Sequence, residues 1–304
     1  MVNVIPRLKT AGSRLVANLR PLALFNLLAP RKNYTKQPDL SYGPHARQRL
    51  DVYTPLGNPR QDLPVVIFFY GGSWQRGRRQ DYRFLAQALT ARGWLAVIPD
   101  YRVYPEVRFP AFVQDGAAAV AWVQANIAGF GGNPRRIFLM GHSAGAHIAA
   151  MLSLDATYLQ EAGVCPAQVQ GFIGLAGPYD FLPLKQPRLI DIFGGADDIP
   201  QTQPINFVSP QAPPALLLHG GTDQIVWAKN TRNLARRYRE VGRPVTEIIY
   251  PHYKHLTILL YLAGFLQDGE PVMRDVAAFI DGLVGQEIQG NQPEGPGCKL
   301  ASLY

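Results

Sequence analysis

A serine, an acid and a histidine stand in this chain in an order that could do nucleophilic chemistry. Ser143 lies in Gly141-His142-Ser143-Ala144-Gly145. The apolar run Ile137–Met140 precedes it, and Ile148, Ala149, Met151 and Leu152 follow at helical spacing. The pattern predicts strand, sharp turn and helix, with a serine hydroxyl presented at the turn as a nucleophile elbow. Gly141 and Gly145 leave room for that turn. The helix opening at Ala144 aims its free N–H groups at developing negative charge. A serine hydroxyl is a weak nucleophile until a base takes its proton and a third group orients the base. Asp223 follows 80 residues later, at the end of the strand-like ALLLH, in HGGTDQIV. His255 comes 32 residues after that, beyond the last strand. Ser143, Asp223 and His255 are therefore the expected catalytic residues.

Each has an alternative reading. Asp223 could simply cap the helix that follows. Asp180, Asp197 and Asp198 are weaker candidates for the acid. His252 competes with His255, but it directly follows Pro251 and reads as a loop residue. His147, one turn into the elbow helix, reads as packing, and His45 and His219 read as structural. His142 is turned from the serine by its neighbouring position, and it joins Trp74 as a candidate for the substrate pocket.

A tetrahedral oxyanion needs N–H donors aimed at it. The N–H of Ala144 is one candidate. The loop after Val65–Tyr70 supplies Gly72 and Ser73 as the others, because Gly71-Gly72-Ser73 permits close backbone approach. The same glycines could form a turn and nothing more. Trp74 is either a wall of the acyl pocket or plain core.

These residues need a scaffold, and the chain supplies an alternation of apolar runs and helical patterns. Strands are predicted at 48–53, 65–70, 94–98, 137–140, 169–175, 215–219 and 245–250, and helices at 79–92, 111–127, 228–241 and 272–284. Fully apolar runs such as VVIFFY read as buried parallel strands. The alternation predicts an α/β fold, a mostly parallel central sheet with helices on both faces. Residues 31–64 read as loops with one strand. Residues 176–213 are irregular and proline-rich, a length that usually marks a functional loop or lid. The expected organisation is a basic N-terminal segment over 1–47, a catalytic domain over 48–284 and a flexible tail over 285–304.

The 304 residues are 47% hydrophobic and 17% charged, which suits a globular enzyme with a sizeable core. The net charge of +8 sits wholly in residues 1–50, which hold nine Lys/Arg against Asp39. The rest of the chain is neutral, so the basic balance says nothing of the site. No basic face with aromatic support points to nucleic acid. Cys165 and Cys298 show no metal or disulfide spacing. No metal and no organic cofactor is expected. Leu15–Leu28, interrupted by Arg20 and Pro21, is too short and too charged to span a membrane. Leu27–Pro30 fits an export cleavage site poorly. The segment reads as an amphipathic helix on the domain. Weak contact of residues 1–36 with an anionic membrane surface is the alternative. A cytoplasmic location is expected, and the oligomeric state is open.

Taken together, YGGSW (70–74), PDYRVYPEVRFPAFVQDGAAAVAWV (99–123), GHSAGAHIAA (141–150), HGGTDQIV (219–226) and His255 resemble a known group. This is the α/β-hydrolase-fold carboxylesterases related to hormone-sensitive lipase. Within it the chain is similar to isoprenylcysteine methylesterase-like, feruloyl-esterase-like and kynurenine formamidase-like proteins. The resemblance covers about residues 48–284. It implies Ser143 as nucleophile, Asp223 as acid and His255 as base, with Gly72, Ser73 and Ala144 as the oxyanion hole. It also implies that Tyr101, Arg102 and Asp115 steady the oxyanion loop. Two positions depart from the family pattern. Tyr70 replaces the usual histidine before the glycines, and Ser73 replaces the third glycine. The implied function is hydrolysis of small to medium carboxylic esters through an acyl-enzyme. An amide or formamide substrate is the alternative, and a non-catalytic ligand-binding protein on the same scaffold is a third.

Overall fold

The computed structural model describes residues 21–57, 62–194, 199–263 and 271–288. Its elements, in order, begin with α1 (Pro21–Leu28), β1 (Tyr34–Ser41), β2 (Arg49–Pro55) and β3 (Leu63–Phe69). Then come α2 (Arg83–Thr90), β4 (Leu95–Pro99), α3 (Ala111–Asn126), β5 (Gly132–His142), α4 (Ala144–Leu154) and α5 (Ala156–Glu161). The chain continues through β6 (Val169–Leu175), α6 (Pro187–Phe193), β7 (Ala215–Gly220) and α7 (Lys229–Glu240). It closes with β8 (Val245–Tyr250), α8 (Thr257–Leu260) and α9 (Pro271–Ile288).

The strands form one sheet in the order β1-β2-β4-β3-β5-β6-β7-β8. β1 and β2 pair antiparallel, as do β2 and β4, while β4, β3, β5, β6, β7 and β8 run parallel. This is the expected α/β-hydrolase architecture. The chain moves from β3 to β4 through α2, then reverses across β3 to β5 through α3. Right-handed crossovers with opposite directions place α2 and α3 on opposite faces. Side chains from both faces are therefore buried. Val65 to Tyr70 are wholly inaccessible, as are Leu139, Met140 and Ile173. Continuous apolar runs survive in the central strands because neither face meets water.

Four segments differ from the sequence reading. Residues 34–41 read as loop, yet they form β1. That strand is an edge, with Lys36, Pro38 and Asp39 in it and a register shift between Gln37 and Leu40. Polar, bulged edge strands resist further pairing, and they carry none of the apolar period that marks a strand. Residues 187–193 form α6 inside the stretch read as irregular, with Pro187 in the first turn. Proline suits that position because its missing N–H would be unpaired there anyway. The predicted helix 79–92 is a 3₁₀ turn, Arg79–Tyr82, followed by α2. The last helix continues to Ile288, so the first residues of the expected tail are helical; the rest of the tail lies outside the described residues.

The N-terminal segment is described from residue 21. α1 starts at Pro21 and lays Leu22 and Phe25 against the core, with Phe25 edge-on to Phe84 at 5.8 Å. Asn26 Oδ1 accepts the Phe84 N–H at 3.0 Å, and its amide donates to the Gln80 carbonyl at 2.7 Å. Residues 1–20, which carry most of the expected membrane contact, lie outside the described residues. No helix among the described residues is long and apolar enough to cross a membrane.

The parallel strands end on one edge, where βα loops gather. Asp115 of α3 braces that edge. It accepts Arg102 Nη2 at 2.7 Å, the Arg102 N–H at 2.8 Å and Gln48 Nε2 at 2.8 Å, and it is itself buried. Removing one partner of a buried pair leaves the other uncompensated. Asp115→Ala is expected to lower stability by about 3–5 kcal/mol, read as the shift in free energy from urea unfolding monitored by tryptophan fluorescence.

Candidate active site

Ser143 sits between β5 and α4 at φ +55°, ψ −124°, a strained conformation for a residue with a Cβ. The strain is held by close backbone packing. A Cβ on Gly145 would lie 2.0 Å from the Phe69 carbonyl oxygen, and one on Gly141 would lie 2.3 Å from the Gly145 carbonyl. The end of β3, the end of β5 and the first turn of α4 thus meet with no side chain between them. The Ser143 N–H donates to the Leu175 carbonyl of β6 at 2.9 Å, which fixes the turn to the next strand.

The loop after β7 carries Asp223 and the loop after β8 carries His255. The structure brings both to Ser143. His255 Nε2 is 2.8 Å from Ser143 Oγ, and His255 Nδ1 is 2.7 Å from Asp223 Oδ2. An ionised carboxylate can only accept, so Nδ1 holds the proton and Nε2 offers its lone pair to the serine hydroxyl. All three residues are buried. Asp223 Oδ1 accepts the N–H groups of Ile225 and Val226 at 2.8 and 3.0 Å. Burial alone would raise the Asp223 pKa. Hydrogen bonds from His219 and His255, with the nearby imidazole charge, outweigh it and hold the carboxyl well below its usual range.

The other histidines divide by partner. His252 is exposed. His219, read from sequence as structural, reaches the site. Its Nε2 faces the Val226 carbonyl at 2.8 Å and Asp223 Oδ2 at 3.3 Å, and its Nδ1 pairs with Thr231 Oγ1 at 2.7 Å. A carbonyl needs a donor, so Nε2 carries the proton and points it toward the acid as well. The available signal was an ionisable residue at the end of an otherwise apolar buried strand, which needs a partner. His142 Nε2–H donates to the His255 carbonyl at 2.9 Å, and the two rings lie 4.8 Å apart. It supports the loop that carries His255. Asp180, one of the alternative acids, accepts from Asn233 at 2.6 Å, and Asp197 and Asp198 lie outside the described residues.

Gly72 and Ser73 lie in the loop after β3. A Cβ on the preceding Gly71 would sit 2.9 Å from Ser143 Cβ, so this loop starts in contact with the serine. Gly72, Ser73 and Trp74 have φ of +147°, +55° and +57°. Ala144 is the first residue of α4, where backbone N–H groups have no partner within the helix. Trp74 is buried beside Phe193 (4.8 Å), His147 (5.3 Å), Phe112 and Phe181 (both 6.2 Å). His147 Nε2 donates to the Thr202 carbonyl at 2.9 Å inside the same aromatic group. Among the described residues, no three His, Cys, Asp or Glu side chains are placed to hold a metal ion.

The chain is similar to known proteins. Residues 50–238 match the BD-FAE family. Esterase LipC of Mycobacterium tuberculosis is 33% identical over 231 residues, 70% of this chain and 57% of the relative. A probable isoprenylcysteine alpha-carbonyl methylesterase of Arabidopsis thaliana is 29% identical over 72% of this chain and 50% of the relative. The chain thus spans about half the length of the curated relatives it matches. Among solved structures, esterase B of Lactobacillus rhamnosis superposes with a TM-score of 0.77 at 19% identity, over 92% of this chain and 96% of that one. A truncated carbohydrate esterase from gut microbiota gives 0.70 at 21%, over 84% and 99%. At these identities the structural likeness establishes the fold.

Two buried histidines set an acid limit on this region. Burial pushes His142 down to about 3, with the neighbouring His255 adding to the effect, and burial pushes His147 down to about 4. Both lie below the ordinary value of 6.5, so the unfolded chain binds protons that the folded one refuses. Their contribution is intact above pH 6.5 and is lost as pH falls toward 4 and 3, at about 1.4 kcal/mol per pH unit per histidine. His147→Gln should make urea stability fall less steeply between pH 6 and 4.5, by about one proton's worth of slope. An unchanged slope would contradict the assignment.

Proposed function

This chain belongs to the BD-FAE family of α/β-hydrolases, and on that premise we propose that it is a serine carboxylic-ester hydrolase. The observation that carries the reading is the unbroken line from Asp223 Oδ2 through His255 to Ser143 Oγ, with links of 2.7 and 2.8 Å. In this reading His255 Nε2 takes the Ser143 proton as Oγ attacks the ester carbonyl. The N–H groups of Gly72, Ser73 and Ala144 hold the oxyanion. The tetrahedral intermediate collapses, and His255 gives its proton to the departing alcohol. Water, deprotonated by the same imidazole, then releases the acyl group as a carboxylic acid. Asp223 keeps the imidazole in the productive tautomer and stabilises its cation.

The relatives' names support ester chemistry. His147, one turn along α4 from Ser143, brings the aromatic group around Trp74 close to the nucleophile, and small to medium esters are the substrates tested first. Serine triads also cleave activated amides, so the substrate panel must include a formamide. A binding protein on this scaffold would have no use for a base held 2.8 Å from the serine hydroxyl.

On short p-nitrophenyl esters, Ser143→Ala is expected to abolish turnover with the fold retained. Asp223→Asn should lower kcat by roughly 10⁴-fold, because the amide no longer selects the required tautomer. Steady-state kinetics on acetate to octanoate esters, beside N-formylkynurenine, gives the preference. Turnover of the formamide far above every ester would overturn the ester reading.

A further inference from the structure

The oxyanion loop has a backbone conformation that it cannot hold by itself. Four of its residues between 71 and 77 have positive φ, and two of them, Ser73 and Trp74, are not glycine. Its backbone hydrogen bonds within the loop are Gln75 and Arg76 N–H groups to the Gly72 carbonyl, at 3.0 and 3.2 Å. Such conformations persist only where the surroundings over-determine them.

The surroundings converge on one ring and one guanidinium. Tyr70, the last residue before the glycines, is stacked between Tyr82 (centroids 5.3 Å) and Tyr101 (4.9 Å). Its hydroxyl donates to Asp100 Oδ1 at 2.7 Å, and its carbonyl accepts the Tyr101 hydroxyl at 2.7 Å. Arg47 approaches from the turn between β1 and β2. Its Nη2 donates to the Tyr70 hydroxyl at 3.0 Å and to the Gly77 carbonyl at 2.8 Å, while Nε donates to the Tyr101 carbonyl at 2.8 Å. Gly77 packs against the same ring, since a Cβ there would be 2.6 Å from Tyr70 Cε2. Both ends of the loop are therefore tied to Tyr70 and Arg47. The tie reaches the nucleophile as well. A Cβ on Gly145 would lie 2.5 Å from the Tyr70 carbonyl oxygen, so Tyr70 backs directly onto the first turn of α4.

We propose that Arg47 and Tyr70 are positioning residues for the oxyanion hole, a clasp that takes the place of the histidine common before the glycines. This rests on the reading that Gly72 and Ser73 N–H groups bind the oxyanion. Donors to an oxyanion accelerate a reaction only when they are already in place as charge develops. Loosening either end of the loop lets Gly72 and Ser73 drift relative to Ser143, and displacements on the order of 1 Å at a reacting centre are costly. Arginine suits the position because its planar fork meets three acceptors at fixed angles, which an ammonium cannot do. Burial raises the Tyr70 phenol well above its ordinary value, so it remains a donor to Asp100 at working pH. The clasp acts on transition-state charge and leaves ground-state binding alone.

The test compares Tyr70→Phe, Arg47→Lys and the double variant with wild type and Ser143→Ala. Active sites are counted by mass spectrometry after complete labelling with a fluorophosphonate, and kcat is normalised to that count. For p-nitrophenyl acetate, each single variant should lose about 10–100-fold in kcat with KM within about threefold. Affinity for a trifluoromethyl ketone, which forms an oxyanion on Ser143, should fall by the same factor. The double variant should lose no more than the worse single one, because both residues serve one clasp. Folded variants with kcat per site within twofold of wild type would overturn the proposal. So would a loss confined to KM or to the count of active sites. If Tyr70→Phe does not fold, Arg47→Lys, whose side chain is partly exposed, decides by the same criteria. Turnover retained by Ser143→Ala would instead sink the serine-hydrolase reading, which separates the two failures.

Discussion

The site depends on a backbone contact that admits no side chain. Gly145 in the first turn of α4 lies against the carbonyls of Phe69 and Tyr70, and Gly141 lies against Gly145. This contact sets the angle at which β5 turns into α4, and so the φ of Ser143. It also fixes the end of β3, from which the loop carrying Gly72 and Ser73 departs. Nucleophile and loop are thus registered by main-chain atoms, which have no rotamers to lose. The histidine and the acid arrive later in the chain, from β7 and β8, and meet a serine whose place is already settled.

Around that contact the charges are sorted by their partners. Asp223 is buried and stays ionised, because two backbone N–H groups and two imidazoles donate to it. His142 and His147 are also buried and stay neutral, because burial disfavours the cation by more than the single carbonyl each one faces supports it. Arg79 is buried with Asp51 and Asp100, and its guanidinium also reaches Asp39 on β1. One titratable pair faces the serine, and the remaining buried charges are spent on holding loops.

Much of this was legible in the sequence because the signals were local. GHSAG between an apolar run and a helical pattern marks the elbow, and VVIFFY and ALLLH mark strands with no solvent face. The residues that the sequence hid act at a distance. Nothing near His219 says that its proton points at Asp223, four residues on. Arg47 and Tyr70 are 23 residues apart, and only the antiparallel return of β2 beside β4 brings them together. β1 was hidden for the opposite reason. An edge strand is selected to look unlike a strand, and its polar side chains and bulge leave no period to read.

β1 also bears on how the protein can be dissected. The family match begins at residue 50, inside β2. A fragment cut there would retain Ser143, Asp223, His255 and the loop that carries Gly72 and Ser73. It would lose the strand that covers β2, the Lys36 ammonium 2.7 Å from Asp51, the Asp39 carboxylate on Arg79, and Arg47 itself. Arg79 would keep Asp51 and Asp100, but Asp51 would lose its second cation at a freshly exposed sheet edge. The smallest unit recognisable by homology is therefore smaller than the smallest unit that is physically complete.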